Sequence, residues 1–326
     1  MKSRFSIDPF LAKLFLAVIV ASILPAHGTG ATLFSWAANL SIALLFFLHG
    51  ARLSREAIVA GAGHWRLHLS IFSVTFLLFP ALGLLAGPLF APYVTPELHT
   101  GILFLCCLPA TMQSAIAFTA IARGNIPAAI CSASASNLLG VFVTPLLAGL
   151  ILAGSSTGDA PISLDAVGKI MLQLLLPFVL GHASRPWLGA WVAKRNRLLK
   201  HVDQGSILLV VYTAFSASVI GGLWTTTPPS ALLAVLLISA ALLALVLGLI
   251  LLLGRLMGFS IEDRITLLFC GAKKSLSSGI PIANILFAGH AVGAIVLPIM
   301  VFHQIQLIVC AIIAGAYARR PARAGA

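Results

Sequence analysis

The sequence predicts an all-α integral membrane protein of ten transmembrane helices, arranged as two inverted repeats of five. Three observations carry this. Of the 326 residues, 60% are hydrophobic and 9% charged, where a soluble domain carries about 25% charged residues. A water-facing shell cannot be built from that inventory, so most of the surface must meet lipid. The apolar residues then fall into ten runs, at 10–27, 33–50, 67–87, 98–121, 126–152, 166–184, 204–223, 230–254, 261–287 and 292–316, and a spanning helix needs about 20 of them. Finally, the basic residues alternate between loops. With the N-terminus inside, seventeen of the 20 Lys and Arg fall in cytoplasmic segments, and the opposite loops around 28–32, 88–97, 153–165, 224–229 and 288–291 hold none. That is the positive-inside pattern of an even span count. It predicts a multi-pass protein of the bacterial inner membrane with both termini and the loop 185–202 cytoplasmic.

Helices are the expected spanning element because lipid offers backbone groups no partner. A β-barrel needs short alternating strands, and ALLAVLLISAALLALVLGLILLL is the opposite pattern. The start, MKSRFSIDPF, lacks a small-residue cleavage site, so the first run reads as a retained helix. The net charge of +12 does not make this a nucleic-acid binder, because the Lys and Arg lie between apolar runs and not on a soluble basic face. The five cysteines sit inside those runs without metal spacing and read as packing residues. His64 and His68 have i, i+4 spacing, but Trp65 and Arg66 beside them suggest an interfacial belt, not a metal site. No cofactor is expected, and these residues define no certain metal site. The expected partners are the lipid bilayer and a small organic solute.

Five spans per half give the halves opposite orientation, the inverted repeat of many transporters. The boundary falls so that 1–152 forms one repeat and 153–326 the other. The first run opens with Asp8 and Lys13 and reaches Leu24-Pro25; the sixth opens with Asp165 and Lys169 and reaches Leu176-Pro177. The fourth reads LFLCCLPATMQS and the ninth TLLFCGAKKSLSS; with Cys107 laid on Cys270, Ser114 falls on Ser277.

Polar chemistry gathers at the middles of these two runs. Pro109 begins Pro-Ala-Thr-Met-Gln113-Ser114, a helix breaker and polar side chains at bilayer depth, and proline removes a backbone donor. The ninth run centres on Lys273, Lys274, Ser275, Ser277 and Ser278, with Gly279 and Pro281 as the expected breakers. Two broken helices in matching positions point to a transport site. Lys274 lies about 20 Å along the helix from either end at 1.5 Å per residue, so its ammonium cannot snorkel. A midplane lysine costs about 2.5–3.5 kcal/mol on insertion scales. No carboxylate lies at that depth to pair with it, so its partner is carbonyls, a helix C-terminus or an anionic substrate. Ser132, Ser134, Ser136 and Asn137 add a polar stripe to the fifth run that also suits close packing, and His303, Gln304 and Gln306 do so in the tenth.

The segments PATMQSAIAFTAIARGN, a Ser-rich helix ending in VTPLL, FCGAKKSLSSGIPIANILFAGH and LPIMVFHQIQLIV resemble the bile acid:sodium symporter family. They are most similar to its divergent branch, which includes the seventh member of vertebrate solute carrier family 10 and bacterial relatives. The resemblance implies broken fourth and ninth helices that cross, a core of helices three to five and eight to ten, and a panel of helices one, two, six and seven. It also implies a substrate site between core and panel, worked by alternating access. It places the polar groups of a sodium site at Gln113, Ser114, Ser132 and Asn137. In the ninth helix, sodium-coupled members carry Glu and then a Gln-Asn pair, where this chain has Lys273-Lys274 and Ser277-Ser278. The leading expectation is therefore a secondary transporter of a small organic anion with Lys274 as a fixed cation. A sodium symporter with a rebuilt site and a non-transporting membrane regulator are the alternatives. The coupling ion is then sodium or a proton released by Lys274. An enzyme is not expected, since no carboxylate lies at the membrane centre to serve a catalytic site.

Overall fold

The computed structural model describes residues 9–52, 62–153 and 164–320. The expected external loop 153–165, both termini and the charges Asp8, Glu56 and Asp159 fall wholly or largely outside them. Every described element is helical. In chain order these are α1 (Pro9–Ile23), α2 (Gly28–Arg52), α3 (Trp65–Ser73), α4 (Phe79–Phe90), α5 (Pro96–Cys107), α6 (Met112–Ile121), α7 (Ile126–Ala153), α8 (Leu164–Ala183), α9 (Arg185–Lys194), α10 (Asn196–Ile220), α11 (Leu223–Thr226), α12 (Pro229–Leu256), α13 (Ile261–Gly271), α14 (Leu276–Leu286) and α15 (Val292–Ala318).

Among the described residues, six helices are long and apolar enough to cross a membrane, running over Gly28–Arg52, Trp65–Tyr93, Ile126–Leu152, Leu198–Ile220, Pro229–Leu256 and Val292–Ala318. A seventh span forms if α5 and α6, bent by 60° at a short break, count as one. Leu85, Leu89, Leu150 and Leu237 stand exposed on these helices, as a lipid-facing surface requires. The chain is a multi-pass membrane protein.

The segment 185–202, expected as a loop, is helical, with only Arg195 between α9 and α10. Pro186 sits in the first turn of α9, where its missing N–H costs nothing. Exposed Trp187 and Trp191, with the Arg195 guanidinium 5.1 Å from the Trp191 ring centroid, give this helix the composition of a membrane-interface segment.

Contacts divide the described residues into two compact units. One draws on 1–53, 165–228 and 280–296, the other on 54–164, 229–279 and 297–326. In the first unit, α2 and α8 cross at reciprocal glycines: a Cβ on Gly50 would lie 2.0 Å from Phe178 O, and one on Gly181 would lie 1.9 Å from Phe47 O. Only glycine allows backbones that close. Arg52 of α2 and Asp203 of α10 form an ion pair beside this crossing. Tyr212 Oη donates to Leu24 O at 2.9 Å, tying α10 to the end of α1.

In the second unit, α3 and α4 make one span interrupted by a π-helical turn, Val74–Leu78. A core of Phe90, Leu98, Ile102, Ala231 and Val235 joins α4, α5 and α12. The α6–α7 turn is pinned to α13. Asn125 N–H donates to Thr266 Oγ1 at 3.0 Å, and its side-chain amide to Asp263 Oδ1 at 2.9 Å. Arg123 holds a left-handed φ of 55° there. Its guanidinium donates to Ala318 O, and Arg320 donates back to Arg123 O, at 2.8 and 2.7 Å. These contacts tie the ends of α6, α13 and α15 together.

Candidate functional site

Two interrupted helices, α5–α6 and α13–α14, are built alike. Each first half carries a side-chain N-cap and acidic residues in its first turn: Thr95 and Glu97 for α5, Ser260 with Glu262 and Asp263 for α13. Caps and acids both suit the positive end of a helix. Each then stops for four residues, Leu108–Thr111 between α5 and α6 and Ala272–Ser275 between α13 and α14. Pro109 lies in the first break. Gly279 and Pro281, expected to break the ninth run, do not: both lie within α14. Gly279 serves close approach, since a Cβ there would sit 2.6 Å from Leu108 Cδ1. Pro281 comes after the interruption and removes a single donor from a helix already under way.

A break inside lipid frees carbonyls that must find donors, and six of those at the first break do. Leu105 O takes Leu108 N–H at 3.2 Å. Cys107 O takes Thr144 Oγ1 at 2.9 Å. Pro109 O takes Ser275 N–H at 2.8 Å. Ala110 O takes Asn137 Nδ2 at 2.8 Å. Cys106 O and Leu108 O take the Lys274 ammonium at 2.9 and 2.8 Å.

The third proton of Lys274 goes to Thr75 O at 2.8 Å. That carbonyl is free because of the π-turn: Phe79 N–H, its ordinary helical donor, bonds Val74 O instead. The next residue, Pro80, has no N–H to offer. The Phe79 ring centroid lies 4.1 Å from the same ammonium. Lys274 is 1% exposed, and its ammonium sits at the C-terminal end of α5, where the helix dipole favours a cation. Lys273 is equally buried but is treated differently. Its ammonium has no hydrogen-bond partner and lies 3.9 Å from the Phe118 ring centroid. Neither lysine reaches the surface. Lys274, expected to offer its charge to an anionic substrate, spends all three N–H bonds on carbonyls.

At each break the backbone N–H and C=O of one residue are held by side chains of the following long helix. Ala110 N–H donates to Ser136 Oγ at 3.0 Å and Ala110 O accepts from Asn137, both of α7. Lys274 N–H donates to Gln306 Oε1 at 2.9 Å and Lys274 O accepts from Gln306 Nε2 at 2.9 Å, from α15. The other amide proton of Gln306 goes to His303 Nδ1 at 2.8 Å. Thr111 Oγ1 donates to Lys274 O at 2.7 Å, bridging the two breaks. Asn137 Oδ1 accepts from Ser278 Oγ at 3.0 Å, and Ser278 shares a hydroxyl cluster with Ser275 and Ser277.

Other expected residues lie apart from this network. Ser132 pairs with His68 Nδ1 at 2.6 Å. Ser134 is half-buried on α7, Gln113 is exposed on α6, and the Ser114 hydroxyl is buried without a partner. No group of three metal-ligating side chains occurs among the described residues. The sequence reading missed Thr75, Phe79, Pro80, Phe118 and Thr144. Pro80 inside an apolar run was the one available signal.

Interrupted helices whose breaks meet in a buried hydrogen-bond network, within a multi-pass membrane protein, are the form of secondary-transporter sites. The comparison with known sequences gives the family: the chain belongs to the SBF-like CPA transporter family, whose sequence model matches residues 8–319. It is 58% identical over 320 residues to an uncharacterized protein of Pseudomonas aeruginosa, covering 98% of this chain and 95% of that one. It is 53% identical over 320 residues to the Escherichia coli protein named "Putative symporter YfeH", covering 98% and 96%. It is 28% identical over 272 residues to "Sodium/bile acid cotransporter 7" of Mus musculus, covering 82% and 79%.

Proposed function

We propose that this chain is a secondary active transporter of a small organic anion, working by alternating access without sodium. Lys274 carries the reading. Its ammonium, bonded to three carbonyls at 2.8–2.9 Å, supplies the positive charge at the crossing that an ion would otherwise supply. Lys273 and Lys274 together put two positive charges in the second unit, and none of the hydrogen bonds or ion pairs at the crossing involves a carboxylate. Such a core raises the local concentration of an anion nearby.

A sodium symporter with a rebuilt site would need the oxygens of Gln113, Ser114, Ser132 and Asn137 together. Ser132 is committed to His68, and Asn137 to Ala110, Ala133 and Ser278, so this second reading is the weaker. Family membership argues against a non-transporting regulator.

The ten-span count, inverted repeats over 1–152 and 153–326 and cytoplasmic termini belong to the same proposal. The like-built breaks support the repeats. The gathering of 1–53 and 165–228 into one unit, which also takes in 280–296, supports grouping helices one, two, six and seven as a panel.

The test is uptake into proteoliposomes of a radiolabelled panel of small carboxylates, sulfates and phosphates. Uptake of at least one anion, unchanged when choline replaces sodium, is expected. Uptake that requires a sodium gradient would overturn the reading.

A further inference from the structure

The surroundings of Lys274 have the form of a receptor. Three backbone carbonyls from two segments, Thr75 in the π-turn and Cys106 and Leu108 at the first break, converge on one point, closed by the face of Phe79. Backbone carbonyls and an aromatic face are how proteins recognise ammonium ions. The 2.8–2.9 Å spacings are N–H···O lengths. A bare ion of calcium's size, as sodium is, sits at about 2.3–2.6 Å from oxygen. The receptor is therefore dimensioned for an alkylammonium group.

We infer that the π-turn and the first break form a receptor for a primary ammonium ion, occupied by the chain's own Lys274 side chain, and that Pro80 is its positioning residue. Pro80 acts through Thr75. A residue with an N–H at position 80 lets the turn revert to ordinary α-helix, in which Phe79 N–H takes Thr75 O and position 80 takes Phe76 O. Thr75 O is then lost to the ammonium. This inference rests on the reading of Lys274 as a fixed cation, but its chemistry can be tested without a substrate.

Lys274→Ala removes three methylenes and the ammonium, the equivalent of n-propylammonium. The purified full chain in detergent is melted with n-propylammonium chloride, tetramethylammonium chloride or sodium chloride at equal ionic strength. Propylammonium is expected to raise the melting temperature of Lys274→Ala by about 2 °C or more. It should leave the wild type and Lys274→Met, whose sites are filled, unchanged. Tetramethylammonium, which has no N–H, and sodium should do nothing. A folded Lys274→Ala indifferent to propylammonium, or better stabilised by sodium, overturns the receptor, as does an equal shift in the wild type.

If Lys274→Ala does not fold, Pro80→Ala decides. It should lower the melting temperature of the wild type by diverting Thr75 O, and raise that of Lys274→Met by giving a bare carbonyl a donor. The same change in both backgrounds overturns the inference. Sodium-driven uptake together with propylammonium rescue would remove the proposed function and keep the receptor; sodium-free uptake without rescue would do the reverse.

Discussion

The two breaks share a plan and differ in what they contribute. The first, Leu108–Thr111, is made by a proline and presents acceptors. The second, Ala272–Ser275, contains no proline and presents donors: Ser275 N–H to Pro109 O, and the Lys274 ammonium to Cys106 O and Leu108 O. Thr111 Oγ1 returns one donor to Lys274 O, and with these bonds the polar groups of each break are satisfied largely by the other. The two interrupted helices meet stably here because one is rich in bare carbonyls and the other brings a cation.

The comparison breaks most visibly at the adjacent lysines. Lys274→Met leaves three buried carbonyls without donors, at about 1–3 kcal/mol each. It should cause the largest drop in melting temperature of any single change at the crossing. Lys273→Met removes an ammonium without a hydrogen-bond partner and should leave the melting temperature unchanged or raise it. Equal losses in scanning fluorimetry would show that the two lysines are not distinguished in this way.

The clamps come next. Gln306→Leu leaves Lys274 N–H without an acceptor and removes one of the two donors to Lys274 O, which keeps Thr111 Oγ1, and Asn137→Leu removes the donor to Ala110 O. Losses of about 1–3 kcal/mol per bare group are expected, with Gln306→Leu the larger. Denaturant melts of the two variants rank them.

The glycines sharpen the asymmetry. A Cβ on Gly140 would lie 2.6 Å from the Pro109 ring, and one on Gly279 would lie 2.6 Å from a Leu108 methyl. The proline ring cannot rotate away, whereas the leucine can change rotamer. Gly140→Ala should therefore cost about 1–3 kcal/mol and Gly279→Ala less. The reverse order in thermal melts would show that the first break is the softer one.

The caps are the smallest expected effect. Thr95→Ala and Ser260→Ala each remove one side-chain acceptor and should each cost about 1 kcal/mol, equally in α5 and α13. An unequal pair would mark one half as the less stable.

The sequence by itself determined the helical class, the membrane setting and the place of the first break. These depend on local properties: apolar runs of spanning length, and a proline with polar neighbours at the centre of one. It also located the lysine pair and the serine cluster, because a charge in such a run is anomalous whatever surrounds it. Tertiary structure decided the partners. Pro281 reads like a breaker, yet the chain is interrupted at Ala272–Ser275. There the Lys274 peptide takes its hydrogen bonds from Gln306 and Thr111, which are distant in sequence. Thr75 became a ligand of Lys274 through a shift in helical register, and no spacing in the sequence encodes which carbonyl a π-turn will release. Lys273 and Lys274 are chemically identical neighbours within an interruption, where no helical spacing sets the angle between them. Only the arrangement of α3, α4, α5 and α6 gives one of them three carbonyls and the other the face of Phe118. A backbone acceptor has no residue type, so the chain can announce its donors but not where its bare carbonyls will meet them.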